Sequence, residues 1–298
     1  MAETLARYGE VVHRRARARF LDADLDEKLH QAGALGSPCR LCERRCGADR
    51  KSGKAGHCGV LEPRVSSEFL HYGEEPELVP SHTIFFAGCT FKCVFCQNYD
   101  ISQNPRCGNG IAPTELAKRI ERGGGINVNW VGGDPTSNLE SILQVMKELQ
   151  ALKFNIAQVW NSNMYLSEEA MDVLDGVIDV YLSDFKYGND QCARRLSGVD
   201  RYFEVVSRNH RLASKQSEIL LRHLVMPGHV DCCTKPVLDW VARNIPNERL
   251  RVNVMDQYHP DFIVVREKEK YPELARRLKM QEYLEVYEFA RKLGLDLV

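Results

Sequence analysis

No apolar stretch in these 298 residues approaches the roughly 20 that a helix needs to cross a bilayer, so no membrane contact is expected. The chain also lacks a charge surplus. With 40 Lys and Arg against 41 Asp and Glu the net charge is −1, and nothing in that balance calls for nucleic acid or an anionic surface as a partner. One basic run, RRARARF at 14–20, is followed at once by LDADLDE. The mixture reads as a solvated helix face. No internal repeat and no low-complexity tract is present, which excludes solenoid and fibrous architectures. The charged N-terminus carries no signal-peptide core, so the expected compartment is the cytoplasm. What is left is an ordinary globular composition, 44% hydrophobic and 27% charged, long enough to bury a full core.

Cysteine breaks this plainness. There are eleven, and in a reducing compartment clustered thiols point to metal and not to disulfides. Cys39, Cys42, Cys46 and Cys58 form one group, and Cys89, Cys93 and Cys96 a second. Cys107, Cys192, Cys232 and Cys233 are scattered and read as buried small side chains or chance thiols.

Apolar patterning then divides the chain. Residues 1–36 read as charged helix ending at QAGALGS. Residues 37–75, rich in Cys, Gly, Arg and Lys, cannot build a core and need a staple. From about residue 80, short apolar runs alternate with helical patterns. Strands are expected at 83–88, 126–133, 156–160, 177–185, 218–226 and 250–255. Helices are expected at 114–122, 138–152, 167–174, 235–245 and 272–294, with Thr114 and Ser167 as N-caps. Such alternation implies an α/β fold with a parallel sheet and right-handed crossovers. Curled or flat, it puts chemistry at the C-terminal strand ends. The expected division is an N-terminal helix and Cys-rich metal-binding module at 1–75, then a barrel at 76–298.

The first of these strands runs into CTFKCVFC, residues 89–96, with Gly88 allowing a tight turn before the first thiol. Thiolates spaced C-x3-C-x2-C can turn toward one point, and iron–sulfur clusters are held by thiolates. Three ligands leave one metal vertex open, where a bound molecule can be activated. Phe95 stands between the last two cysteines.

CTFKCVFC resembles the radical S-adenosylmethionine (radical SAM) motif, C-x3-C-x-aromatic-C. The resemblance implies a partial (β/α)6 TIM-like barrel and a [4Fe-4S] cluster on Cys89, Cys93 and Cys96. Its unique iron is chelated by the amino and carboxylate groups of S-adenosylmethionine. Reduction cleaves the sulfonium to methionine and a 5'-deoxyadenosyl radical, which abstracts a hydrogen atom. Such chemistry is oxygen-sensitive. GGDP at 132–135 resembles the family's GGE-P motif, with Asp134 in place of glutamate, and Gly132 and Gly133 permit close backbone approach. Over roughly 80–260 the chain resembles pyruvate formate-lyase-activating enzymes. SDFK at 183–186 is similar to their D-x-K, which would set Asp184 and Lys186 on the methionyl groups. Arg222 and His259 match cofactor-contacting positions after later strands. Where the activating enzymes carry Asp-Thr-Asn and hold a monovalent cation, this chain has Asn161-Ser162-Asn163. Asn161, Ser162 and Asp184 could still offer oxygens.

Cys39, Cys42, Cys46 and Cys58, spaced C-x2-C-x3-C-x11-C with His57 beside the last, read as a metal staple. Zinc and an auxiliary iron–sulfur cluster both fit, and zinc or a structural role is favoured over redox. This pattern, with HYGEEPELVP and CQNYDIS, resembles an uncharacterised iron–sulfur branch similar to the activating enzymes. The expected activity is hydrogen abstraction from a protein, peptide or small-molecule substrate, with activation of a glycyl-radical enzyme as the family-level reading. The expected electron donor is a flavodoxin or ferredoxin. The opposing reading is a non-catalytic iron–sulfur or zinc module that binds protein or RNA.

Overall fold

In the computed structural model, which describes residues 4–298, six strands lie side by side in chain order and all parallel. They are β2 (Ser81–Phe86), β3 (Asn127–Gly132), β4 (Ala157–Ser162), β5 (Val180–Asp184), β6 (Glu218–Leu224) and β7 (Leu250–Met255). Each falls within two or three residues of its expected place. β1 (Val65–His71) precedes them and pairs antiparallel with β2. β1 and β7 are the two edges and do not pair with each other, so the fold is a partial barrel. Burial on both faces explains the continuous apolar runs, since every residue of β4 is buried and Trp130, Trp160 and Tyr181 are fully enclosed.

The helices are α1 (Ala6–Val12), α2 (Leu25–Gly36), α3 (Tyr99–Ser102), α4 (Pro113–Arg122), α5 (Leu139–Ala151), α6 (Glu168–Leu174), α7 (Asp190–Ser197), α8 (Tyr202–Gln216), α9 (Lys235–Asn244), α10 (Phe262–Arg266) and α11 (Met280–Lys292). Ser167 caps α6, accepting from the Ala170 N–H at 3.3 Å. Thr114 does not cap α4. Pro113 takes the first position, where its fixed φ and missing N–H suit a helix start, and Ala112 precedes it.

The charged N-terminal segment is not one helix. Arg14 adopts a positive φ after α1, and Asp24 starts α2 afresh by accepting from Glu27. The basic run between them is mostly irregular, with Arg15 on Glu10 and Arg17 on Asp22. The expected helix at 272–294 begins only at Met280. Tyr271 and Leu274 are buried on irregular backbone, and the Glu282 carboxylate holds the Lys279 N–H at 3.0 Å to open α11.

β1, α7 and α8 were not expected. β1 reads VSSEFLH, a half-exposed edge with Phe69 facing out, so its alternation is weak. α8 buries Asn209 and His210 on its inner face, which breaks the apolar stripe. Asn209 instead donates to the Met164 and Leu166 carbonyls at 2.8 Å each.

Candidate active site

The ends of β2 to β7 open into a cleft of about 590 Å³, within the range of small-molecule sites. Cys89, Cys93 and Cys96 all line it, and no other cysteine does. The loop that carries them is clasped from behind. The Val94 N–H donates to the Leu196 carbonyl at 2.8 Å and the Lys92 N–H to that of Ser197 at 3.1 Å, both at the end of α7. The Val94 carbonyl in turn accepts from Ile263 in α10 at 3.0 Å. Small polar groups meet the sulfurs: Ser197 Oγ lies 2.9 Å from Cys93 Sγ, Ser102 Oγ 3.2 Å from Cys96 Sγ, and the Phe91 N–H donates to Cys89 Sγ at 3.3 Å. Burial pushes the Cys89 thiol far up, and burial together with Cys96 lifts Cys93 to about 11. Both therefore carry protons that a metal must displace. Phe95 is buried beside Tyr258 at the cleft wall.

The two motif glycines serve the cysteine loop. Gly132 has φ +130°, and a Cβ on Gly133 would meet the Gly88 carbonyl oxygen at 2.1 Å. The Gly133 N–H donates to Phe86 and the Asp134 N–H to Gly88, so the two loops lie backbone to backbone. Asp134 is buried, and its carboxylate accepts from the Thr136 and Asn163 N–H groups at 3.0 Å each. Burial outweighs those bonds and holds its carboxyl above the usual range. Its side chain thus ties the end of β3 to the end of β4.

Asp184 and Lys186 face the cleft as an ion pair, 2.5 Å apart. Burial opposes the charge on Lys186, but Asp184 and Cys93 more than offset it and raise the ammonium. Asn161 and Ser162 also line the cleft, although the Ser162 hydroxyl already accepts from Met164. Arg222 lines it too, yet its guanidinium is taken. It donates to Glu75 at 2.8 and 2.6 Å and also to Glu74. Burial works against that charge, and the two carboxylates hold it firmly on.

His259 is the exception among the expected residues. It is exposed and lies outside the cleft. Asn253 and Met255 of β7 and Gln257 just after it line the cleft instead.

Glu74 and Glu75 are site residues that sequence reasoning missed. Glu75 accepts from Asn253 at 2.8 Å, and Glu74 from Asn129 at 3.0 Å. Their only signal was a tandem acid before Pro76. Without β1, nothing in the sequence says that this acid pair folds onto β6.

Cys39, Cys42, Cys46 and Cys58 converge on a small enclosed pocket with His57, Arg44 and Arg50. Thr90 of the cysteine loop and Thr136 after GGDP close its far side. The Arg50 Nε and Thr136 Oγ1 atoms there are buried without a partner. Arg44 donates to the Thr90 and Gly198 carbonyls at 2.7 Å each, so the N-terminal segment grips the barrel. Burial, with Arg44 and Lys92 nearby, lowers His57 to about 4 and keeps it neutral near pH 7.

The scattered cysteines need a correction. Cys192, Cys232 and Cys233 are not isolated; with His229 they bring four donor atoms within 4.8 Å of one another. Linear spacing hid this, because 40 residues separate Cys192 from Cys232.

A loop of three thiols set at the strand ends of a partial barrel is the arrangement of a radical SAM protein. Residues 83–241 match the family described as the Radical SAM superfamily, and the chain belongs to it as an enzyme of radical SAM type. It lies in the branch similar to pyruvate formate-lyase-activating enzymes. An uncharacterized protein of Methanocaldococcus jannaschii is 49% identical over 92% of this chain and 80% of its own length. The pyruvate formate-lyase 1-activating enzyme of Escherichia coli is 24% identical over 49% of this chain, which spans 61% of that enzyme. Among solved structures, a radical SAM methyltransferase from Sphaerobacter thermophilus aligns at TM-score 0.49 and 13% identity, over 72% of this chain and 65% of that one.

Proposed function

We propose that Cys89, Cys93 and Cys96 hold a [4Fe-4S] cluster and that S-adenosylmethionine occupies the adjoining cleft. The carrying observation is that these three thiols line one cleft with the Asp184–Lys186 pair and no fourth thiol. The donor set fits: three cysteines on one short loop, spaced C-x3-C-x2-C, face the same cleft and can hold three irons of a cluster. When bound and reduced, the two cofactors supply a 5'-deoxyadenosyl radical that takes a hydrogen atom.

The chain's own residues position and shield. Asp184 and Lys186 offer opposite charges to the two ends of an amino-acid zwitterion. Phe95, backed by Tyr258, forms an apolar stretch of the cleft wall that would exclude water. Arg222, bound to Glu74 and Glu75, holds the cleft floor in one conformation and leaves S-adenosylmethionine to the other polar groups.

The substrate is a protein, peptide or small molecule, and similarity to the activating enzymes favours a glycyl residue of a partner enzyme. A flavodoxin or ferredoxin is the proposed electron source. For the N-terminal module, Cys39, Cys42, Cys46 and Cys58 line one small pocket and would hold a metal staple, either zinc or an auxiliary iron–sulfur cluster. The guanidinium groups of Arg44 and Arg50 would offset the cluster's negative charge.

The test is anaerobic reconstitution with iron and sulfide, reduction with dithionite, and assay for 5'-deoxyadenosine. Wild-type protein should cleave S-adenosylmethionine, and Cys93→Ala should not. An intact cluster that leaves S-adenosylmethionine uncleaved, with and without candidate substrates, would reject the reading.

A further inference from the structure

Cys192 stands in the first turn of α7, and His229, Cys232 and Cys233 lie on the turn that links β6 to α9. Their donor atoms form a compact set. Cys192 Sγ is 3.9 Å from Cys232 Sγ, which is 3.9 Å from Cys233 Sγ. His229 Nδ1 lies 3.6, 3.3 and 3.8 Å from the sulfurs of Cys192, Cys232 and Cys233. A tetrahedral zinc ion with Zn–S bonds of about 2.3 Å and Zn–N of about 2.0 Å sets its donors about 3.8 and 3.5 Å apart. The observed spacings match those edges.

The surroundings also fit a metal-bound imidazole. His229 Nε2 is buried without a hydrogen-bond partner and points at Glu273 Oε1, 3.5 Å away. A zinc-ligating histidine commonly directs its second nitrogen at a carboxylate. Glu273 is itself held by Arg195 at 2.5 Å. Asn189 braces the other side, donating to the Cys232 carbonyl at 2.7 Å while its side-chain oxygen caps the Cys192 N–H at 2.8 Å. Gly188 lets the two loops touch, since a Cβ there would meet the Cys232 and Cys233 carbonyls at 2.8 Å.

We propose that Cys192, His229, Cys232 and Cys233 bind one structural zinc ion. All four positions of the metal are filled by protein, so the site is closed and takes no substrate. It ties the loop after β5, which carries Lys186, to the loop after β6. It also anchors one end of α7, whose other end meets Cys93 through Ser197.

Metal analysis of the full chain, purified anaerobically and incubated with zinc salt, tests this independently of any catalytic assay. Wild type and Cys39→Ser/Cys42→Ser should both hold about one tightly bound zinc per chain. Cys192→Ser/Cys232→Ser should hold almost none. Should that variant fail to fold, cobalt titration of the Cys39→Ser/Cys42→Ser protein is decisive. A tetrahedral Co²⁺ spectrum with thiolate charge-transfer bands supports the site, and its absence overturns it. The proposal also fails if wild type takes up no zinc, if zinc is lost with Cys39 and Cys42, or if mass analysis of the anaerobically purified protein, alkylated without prior reduction, shows a Cys192–Cys232 disulfide.

Discussion

Gly133 shows how a motif residue can act on its neighbours more than on a ligand. A methyl group there would strike the Gly88 oxygen at 2.1 Å and Ser102 Cα at 2.9 Å, both backbone atoms that cannot step aside cheaply. Gly133→Ala should cost about 1–3 kcal/mol by overpacking, read as a lower urea midpoint, and should reduce iron uptake by the displaced cysteine loop. Asp179 is a second residue with a measurable signature. It is buried at the far end of β5 and accepts from the Gln158 N–H at 2.8 Å and the Arg19 N–H at 3.1 Å. Burial pushes its carboxyl up to about 6 in spite of those bonds, against about 3.9 in an unfolded chain. Raised in the fold, this pKa favours the folded state fully only below about 3.9, and that advantage is lost as pH climbs through about 6. The difference amounts to about 3 kcal/mol. Asp179→Asn lacks one acceptor and should be the less stable protein near pH 4, with the gap closing near pH 7.5. Denaturant titrations at the two pH values check this, and a gap that ignores pH refutes it. At this scale the cysteine loop, GGDP and SDFK were legible in the sequence because each places its chemistry within a few residues. Glu74, Glu75 and the Cys192 group were not, because the fold alone brings distant segments together.

Among elements, α7 has more to do than its eight residues imply. Its last turn clasps the cysteine loop through the Leu196 and Ser197 carbonyls, and its C-cap residue Gly198 accepts from Arg44. Arg44 thereby joins the N-terminal segment, the cysteine loop and α7 at one guanidinium. Arg44→Met keeps the stem but leaves the Thr90 and Gly198 carbonyls without that donor. The loss should be about 2 kcal/mol, measured by chemical denaturation, with a fall in cluster content larger than Arg45→Met produces. Arg45 pairs chiefly with Glu169, and that pair is exposed, where such contacts are worth little. The parallel strands were legible because burial on both faces writes them as unbroken apolar runs. α8 was illegible for the opposite reason: its buried Asn209 and His210 find partners in loops that no local window contains. β1 was hidden by being an edge, where half the side chains face water.

For the molecule as a whole, the unusual feature is that three cysteine groups sit around one end of the sheet, each with its own geometry. Cys89, Cys93 and Cys96 line the open cleft. Cys39, Cys42, Cys46 and Cys58 face an enclosed pocket, separated from the first group by Thr90 and Thr136. Cys192, His229, Cys232 and Cys233 are compact enough for a single ion. Metal stoichiometry decides whether the N-terminal group holds iron as the cleft group does. With iron at both, reconstituted wild type should hold about eight irons per chain as two four-iron clusters. Cys39→Ser/Cys42→Ser should fall to about four and still yield 5'-deoxyadenosine, because the cleft cysteines are untouched. Cys93→Ala should lose the complementary half and the activity with it. If Cys39→Ser/Cys42→Ser keeps all the iron and loses zinc instead, the N-terminal group is a zinc staple. Iron content decides between these outcomes because a zinc staple on the same four thiols would hold no iron.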